Sequence, residues 1–150
     1  MMGLDMYLTA KRYLSSYRED EQKIADAIGL LPIGNKGMKV KEISCEAMYW
    51  RKANAIHRWF VENCQSGVDD CKEYHVSFGE LKQLRDACAK IMIDNKKAPD
   101  VLPTCNGFFF GSTEFDEWFW DDIKRTEFEL SAILENPENN SWAYYYRSSW

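Results

Sequence analysis

The chain has 150 residues and a formal net charge of −5, and 45% of it is apolar, including 6 Trp, 8 Tyr and 8 Phe. That length supports one domain over residues 1–150 with a true core, and the apolar content excludes an intrinsically disordered chain. The acidic balance disfavours generic DNA binding, since phosphate backbones repel it, and no stretch has the length and apolarity of a membrane span.

Residues 4–13 alternate as a half-buried strand, with Leu4, Met6, Leu8 and Ala10 on one face and Asp5, Tyr7, Thr9 and Lys11 on the other. Residues 20–30 read as a short helix with acids in its first turn, and Pro32, Gly34 and Gly37 punctuate a loop. A second strand is expected over 38–45. A helix is expected over 47–65, with Tyr49, Ala53, Ile56, Phe60 and Cys64 as its core stripe, ended by Gly67. A short strand at Tyr74–Val76 precedes Ser77 and Glu80, which have the spacing of a capping box. The helix so opened carries Leu81, Leu84, Cys88 and Ile91 at helical spacing.

A polar loop over 94–106 leads to Gly107-Phe108-Phe109-Phe110-Gly111, read as a short buried strand or a tight backbone passage. Ser112 or Thr113 can cap a long helix running to about Asn136, where Pro137 stops it. The segment from Trp142 to Arg147 is strongly β-prone. The resulting fold class is α+β: a small, mostly antiparallel sheet of three to five strands with three or four packed helices.

Two groups of residues stand out chemically. On the helix over 113–136, Phe115, Phe119, Thr126, Leu130 and Ile133 share a face, and Asp122 falls in its middle. A buried carboxylate needs a partner or a pocket rim, so Asp122 is either structurally paired or a ligand-binding residue. The same helix carries Glu114, Glu117 and Asp121, either as a solvated face or as a docking surface for a basic partner. On the helix over 47–65, Trp50, Asn54 and His57 flank the apolar stripe. With Tyr7 to stack and Arg51 to hold a phosphate, they form a candidate small-ligand site, although a histidine beside an apolar face commonly serves the core. Trp59 points away from the stripe and suits either a partner contact or a second packing layer.

Other chemistry is poorly represented. The sequence has no P-loop, no dinucleotide-binding glycine pattern and no nucleophile elbow, and it calls for no cofactor. His57, Cys64, Cys71 and His75 match no zinc module by spacing, so no metal is assigned. Asp69-Asp70 reads as a polar turn, and the flanking Gly107 and Gly111 would let a ligand approach the backbone. Five cysteines, an odd number, with no secretory pattern ahead of them, lead to the expectation of a reduced, cytoplasmic location.

Three blocks carry a resemblance: Met2-Gly3-Leu4-Asp5-Met6-Tyr7-Leu8, the run Tyr49 to Phe60 (YWRKANAIHRWF), and Gly107 to Asp116 (GFFFGSTEFD). The chain resembles a group of small uncharacterised proteins of bacteriophages and prophages. The resemblance implies a setting, the cytoplasm of a bacterial host, and no mechanism. It implies a non-enzymatic accessory protein that binds and inhibits a host defence protein through an acidic, aromatic-rich surface. A nucleotide- or small-ligand-binding protein is the alternative. A small hydrolase using Asp5, His57 or Asp122 as acid or base is the second alternative.

Overall fold

The computed structural model describes residues 3–14, 23–24, 26–29, 32–33, 36–37 and 40–150. Its centre is an antiparallel sheet of four strands: β1 (Asp5–Tyr13), β4 (Glu42–Arg51), β5 (Tyr74–Val76) and β6 (Ala143–Ser149), in the order β4-β1-β6-β5. A separate two-stranded ribbon pairs β2 (Pro32–Ile33) with β3 (Lys36–Gly37). Beyond the helical residues 23–24 and 26–27, the described α-helices are α1 (Asn54–Cys64), α2 (Phe78–Ile93), the single turn α3 (Ala98–Val101) and α4 (Glu117–Glu135). The architecture is therefore α+β, as the hydrophobic periodicity implies.

Alternation in β1 sets the layering. Leu4, Met6, Leu8 and Ala10 are buried, joined on the same side of the sheet by Met48, Trp50, Val76, Tyr144 and Tyr146. The helices close over this side: α1 buries Ile56 and Phe60, α2 buries Leu81, Leu84, Cys88 and Ile91, and α4 buries Phe119, Ile123 and Leu130. The capping box at Ser77 is formed in both directions, which satisfies two first-turn amides of α2. Tyr7, Tyr49, Tyr145 and Arg147 occupy the opposite side of the sheet.

Several boundaries differ from the sequence expectation. The helix expected over 47–65 begins only at Asn54, because residues 47–51 continue β4. Met48 and Trp50 alternate inward opposite Leu8 and Met6, so a period of two wins over the helical stripe that Tyr49 was to begin. A bulge between Leu8 and Thr9 absorbs Ala47 as an extra residue. The strand expected over 38–45 starts at Glu42, and Met38 and Lys39 lie outside the described residues. Within 20–30, residues 23–24 and 26–27 are helical and 28–29 form a turn; the rest of that expected helix, like Gly34, lies outside the described residues.

α4 begins at Glu117 and not near Ser112, since Asp116 is the cap that accepts from the Phe119 amide at 3.0 Å. Ser112 Oγ instead accepts from the Glu114 amide in a local turn. The three phenylalanines before it form no strand: Phe110 is buried while Phe108 is 94% exposed. Phe115 is exposed ahead of the helix, and Ile123, not Asp122, occupies the centre of the buried face of α4.

Candidate functional site

The structure sorts the singled-out polar residues into a closed network and an open cavity. The network forms around His57, which is fully buried on α1. Its Nε2 lies 2.9 Å from Asp69 Oδ2, and its Nδ1 lies 2.7 Å from the Tyr146 hydroxyl. A carboxylate only accepts, so Nε2–H donates to Asp69, and in the neutral ring Nδ1 accepts from Tyr146. The Tyr146 ring stacks on Phe60 at 3.9 Å between centroids, and burial pushes its hydroxyl pKa well above the usual value. Asp69 also accepts from the Trp150 indole at 3.2 Å. Both ring nitrogens of His57 are engaged, so the histidine serves the core. The Asp69 turn is one of its supports.

Trp50 is equally committed. It is fully buried, and its indole donates to Thr126 Oγ1 at 2.8 Å. Thr126 in turn donates to the Asp122 carbonyl at 2.6 Å, so β4 fixes the turn of α4 that carries Asp122. Asn54 is buried as well, and it braces the loop before α4. Its Nδ2 donates to the carbonyls of Phe110 (3.0 Å) and Ser112 (2.8 Å), and its Oδ1 accepts from the Cys105 amide (3.1 Å). Tyr7 lies across the sheet, its ring near Tyr49 and under Arg147. The expected ligand group of Tyr7, Trp50, Arg51, Asn54 and His57 is thus not assembled around one space.

Trp59, expected as a partner contact, is buried at 9% exposure with its ring edge-on to Phe60, which is the second packing layer. Gly107 makes room for a side chain of the protein itself, whereas Gly111 lines the cavity beside α4. A Cβ at Gly107 would lie 2.5 Å from the Phe110 ring, and one at Gly111 would lie 3.2 Å from Lys52 Cβ.

The cavity, of about 600 Å³, lies between the first turns of α4 and the junction of β4 with α1. Arg51, Lys52 and the start of α1 form one wall; Asp116, Trp118, Asp121 and Asp122 form the other. Asp122 is half-buried, and desolvation raises its pKa to about 6 against the opposing pull of Arg125, whose guanidinium is 3.7 Å away. Arg125 is itself anchored by donating to the Tyr49 carbonyl at 2.8 Å. Asp122 therefore combines both expected outcomes, a named partner and a place in a pocket. Its side chain retains 25% exposure, enough to meet an incoming group.

The three groups considered for hydrolysis belong to separate partner sets among the described residues. Asp5 accepts from the Tyr49 hydroxyl and lies 4.0 Å from Arg51, His57 is held by Asp69 and Tyr146, and Asp122 faces Arg125. Burial raises the thiol pKa values of Cys64 and Cys88 to about 12 and also raises that of Cys105, the reverse of what a nucleophilic cysteine needs. Among the described residues no group of three or more His, Cys, Asp or Glu side chains is placed to hold a metal. No described helix is long and apolar enough to cross a membrane.

The outer face of α4 was only partly visible in the sequence. Glu117 and Asp121 are exposed there, while Glu114, expected on the same helix, is exposed in the turn before it. Between them stand Trp118, 71% exposed, and further along the helix Phe128, 73% exposed. Neither aromatic was singled out from the sequence. The signal was present, because Trp118 and Phe128 fall off the stripe formed by Phe119, Thr126 and Leu130. No protein family, curated protein or solved structure matches this chain.

Proposed function

We propose that this protein acts by binding, and that the outer face of α4 with the turn before it docks on a basic surface of a partner protein. The observation that carries this reading is the alternation of exposed aromatics with acids: Phe115 and Trp118 among Glu114, Glu117 and Asp121, with Phe128 beyond. Large aromatics supply the desolvated anchors of an interface, and surrounding carboxylates steer and orient a cationic partner. Trp118 and Phe128 stand in water on this helix, and a docked partner would cover both. The resemblance to phage-encoded proteins supplies the setting: the partner is a host protein, such as a defence nuclease, whose nucleic-acid-binding surface the acidic helix covers.

The test is affinity capture from bacterial lysate, followed by reconstitution with the purified captured protein. The expected result is one partner held near one-to-one, with binding weakened at least about tenfold by Trp118→Ala and by Glu117→Lys with Asp121→Lys. Binding should also weaken as salt rises. Undiminished affinity in both variants would refute the docking surface.

A further inference from the structure

The cavity beside α4 has opposite poles, and its basic pole plays no part in partner docking. At one pole Arg51 and Lys52 end β4, and Lys52 is held in the left-handed region at φ 57. Its amide donates to the Leu4 carbonyl (2.7 Å) and its carbonyl accepts from the Asn54 amide (2.9 Å), which turns the chain directly into α1. α1 has no side-chain cap and no acid in its first turn. The Asn54 and His57 amides have acceptors, whereas among the described residues those of Ala55 and Ile56 have none. Both residues are buried and both line the cavity. First-turn amides have no acceptor within their own helix and are available to an outside partner. The ammonium of Lys52 likewise faces no carboxylate among the described residues. Lys52 and the two first-turn amides, with Arg51 beside them 4.0 Å from Asp5, form an anion-binding pole at a helix start.

At the other pole stand Asp121 and Asp122, acceptors for N–H groups, with the Trp118 indole beside them. Ile56, Phe119 and Ile123 supply apolar surface between the poles. A bare anion would leave the acidic pole and the indole unused. A free amino acid would satisfy both charges but leave much of about 600 Å³ empty.

We infer that this cavity binds a nucleoside phosphate whose base carries an exocyclic amine. The phosphate meets Arg51, Lys52 and the amides of Ala55 and Ile56; the base lies along Trp118 and donates its amine to Asp121 or Asp122. Asn54 acts as a positioning residue, since it holds the loop that closes the cavity. The stacking ring is thus Trp118, in place of Trp50 and Tyr7. The cavity shares Glu114, Trp118 and Asp121 with the docking surface, whereas Glu117 and Phe128 lie on the docking face alone, so variants at those two residues separate the two readings.

The experiment is amide-resolved NMR with calorimetry, using AMP, CMP, GMP, UMP, adenosine and inorganic phosphate as separate probes. The expected result is binding of AMP, CMP or GMP with shifts at the Ala55 and Ile56 amides, and weaker binding of UMP. Adenosine and phosphate alone should bind at least about tenfold more weakly. Arg51→Ala with Lys52→Ala should reduce nucleotide affinity at least about tenfold, and Asp122→Asn should narrow the preference for aminated bases. Glu117→Lys and Phe128→Ala should leave affinity unchanged. The inference is overturned if no mononucleotide shifts these amides at about 5 mM, or if binding survives loss of both cations. Phosphate binding as tightly as any nucleotide would also overturn it, marking a simple anion site.

Discussion

The His57 network and the Asp122 wall look alike in sequence, each a titratable residue beside an apolar helical face, yet they sit in opposite environments. His57 has a partner on each nitrogen and no exposure. Asp122 faces a cavity, carries a raised pKa, and among the described residues forms its ion pair with Arg125 at 3.7 Å. What separates a structural polar residue from an available one is how completely neighbours satisfy it, and that depends on elements distant in the chain. Asp69 and Tyr146 close the first site. The loop over 104–114 lines the second, and among the described residues it gives the Asp122 carboxylate no hydrogen bond.

Breaking the closed network should have the largest effect. His57→Ala takes the histidine partner from the Tyr146 hydroxyl and from Asp69, which keeps only the Trp150 indole among the described residues, and opens a void beside Phe110; this should cost about 3–5 kcal/mol in a urea titration. An unchanged midpoint would mean the network contributes no stability. Next comes Gly107→Ala, whose methyl group would press on the buried Phe110 ring and should cost about 1–3 kcal/mol, read as a lower Tm.

Asp122→Asn sharpens the contrast through pH. The folded pKa of about 6 lies above the ordinary 3.8, so the folded state holds this proton more tightly than the unfolded chain. Its contribution is fully present below about pH 4 and is lost as pH rises through about 6. Above that pH the ionised group lowers stability by on the order of 2 kcal/mol. Asp122→Asn should therefore be the more stable protein at pH 7.5, with the gain vanishing near pH 4. An equal difference at both pH values would assign the effect to packing. The smallest effect belongs to Glu117→Lys, which should change stability by less than about 0.5 kcal/mol, because the residue is exposed. A larger loss would show that the acidic face supports the fold.

Local signals were legible where one physical cause dominated. The alternation over residues 4–10 marks the central strand, and Ser77 with Glu80 marks the start of α2. They failed where distant pairing decided the outcome. Residues 47–51 fit a helical stripe, but pairing with β1 makes them strand. Ser112 looked like the cap of α4 because both a turn and a cap use its hydroxyl. The site was legible as residue types and not as an arrangement. Asp122, Arg51, Asn54 and the acids of α4 were marked, whereas Lys52, Trp118 and the bare start of α1 become significant only when they face one cavity.

The most direct test sets the two regions side by side in one assay: partner capture and Tm for Glu117→Lys with Asp121→Lys against His57→Ala. The account expects the charge-reversed protein to keep its Tm and lose the partner, and His57→Ala to melt lower while its folded fraction still binds. Capture that survives charge reversal but disappears from folded His57→Ala would contradict it and move the functional site to the buried network.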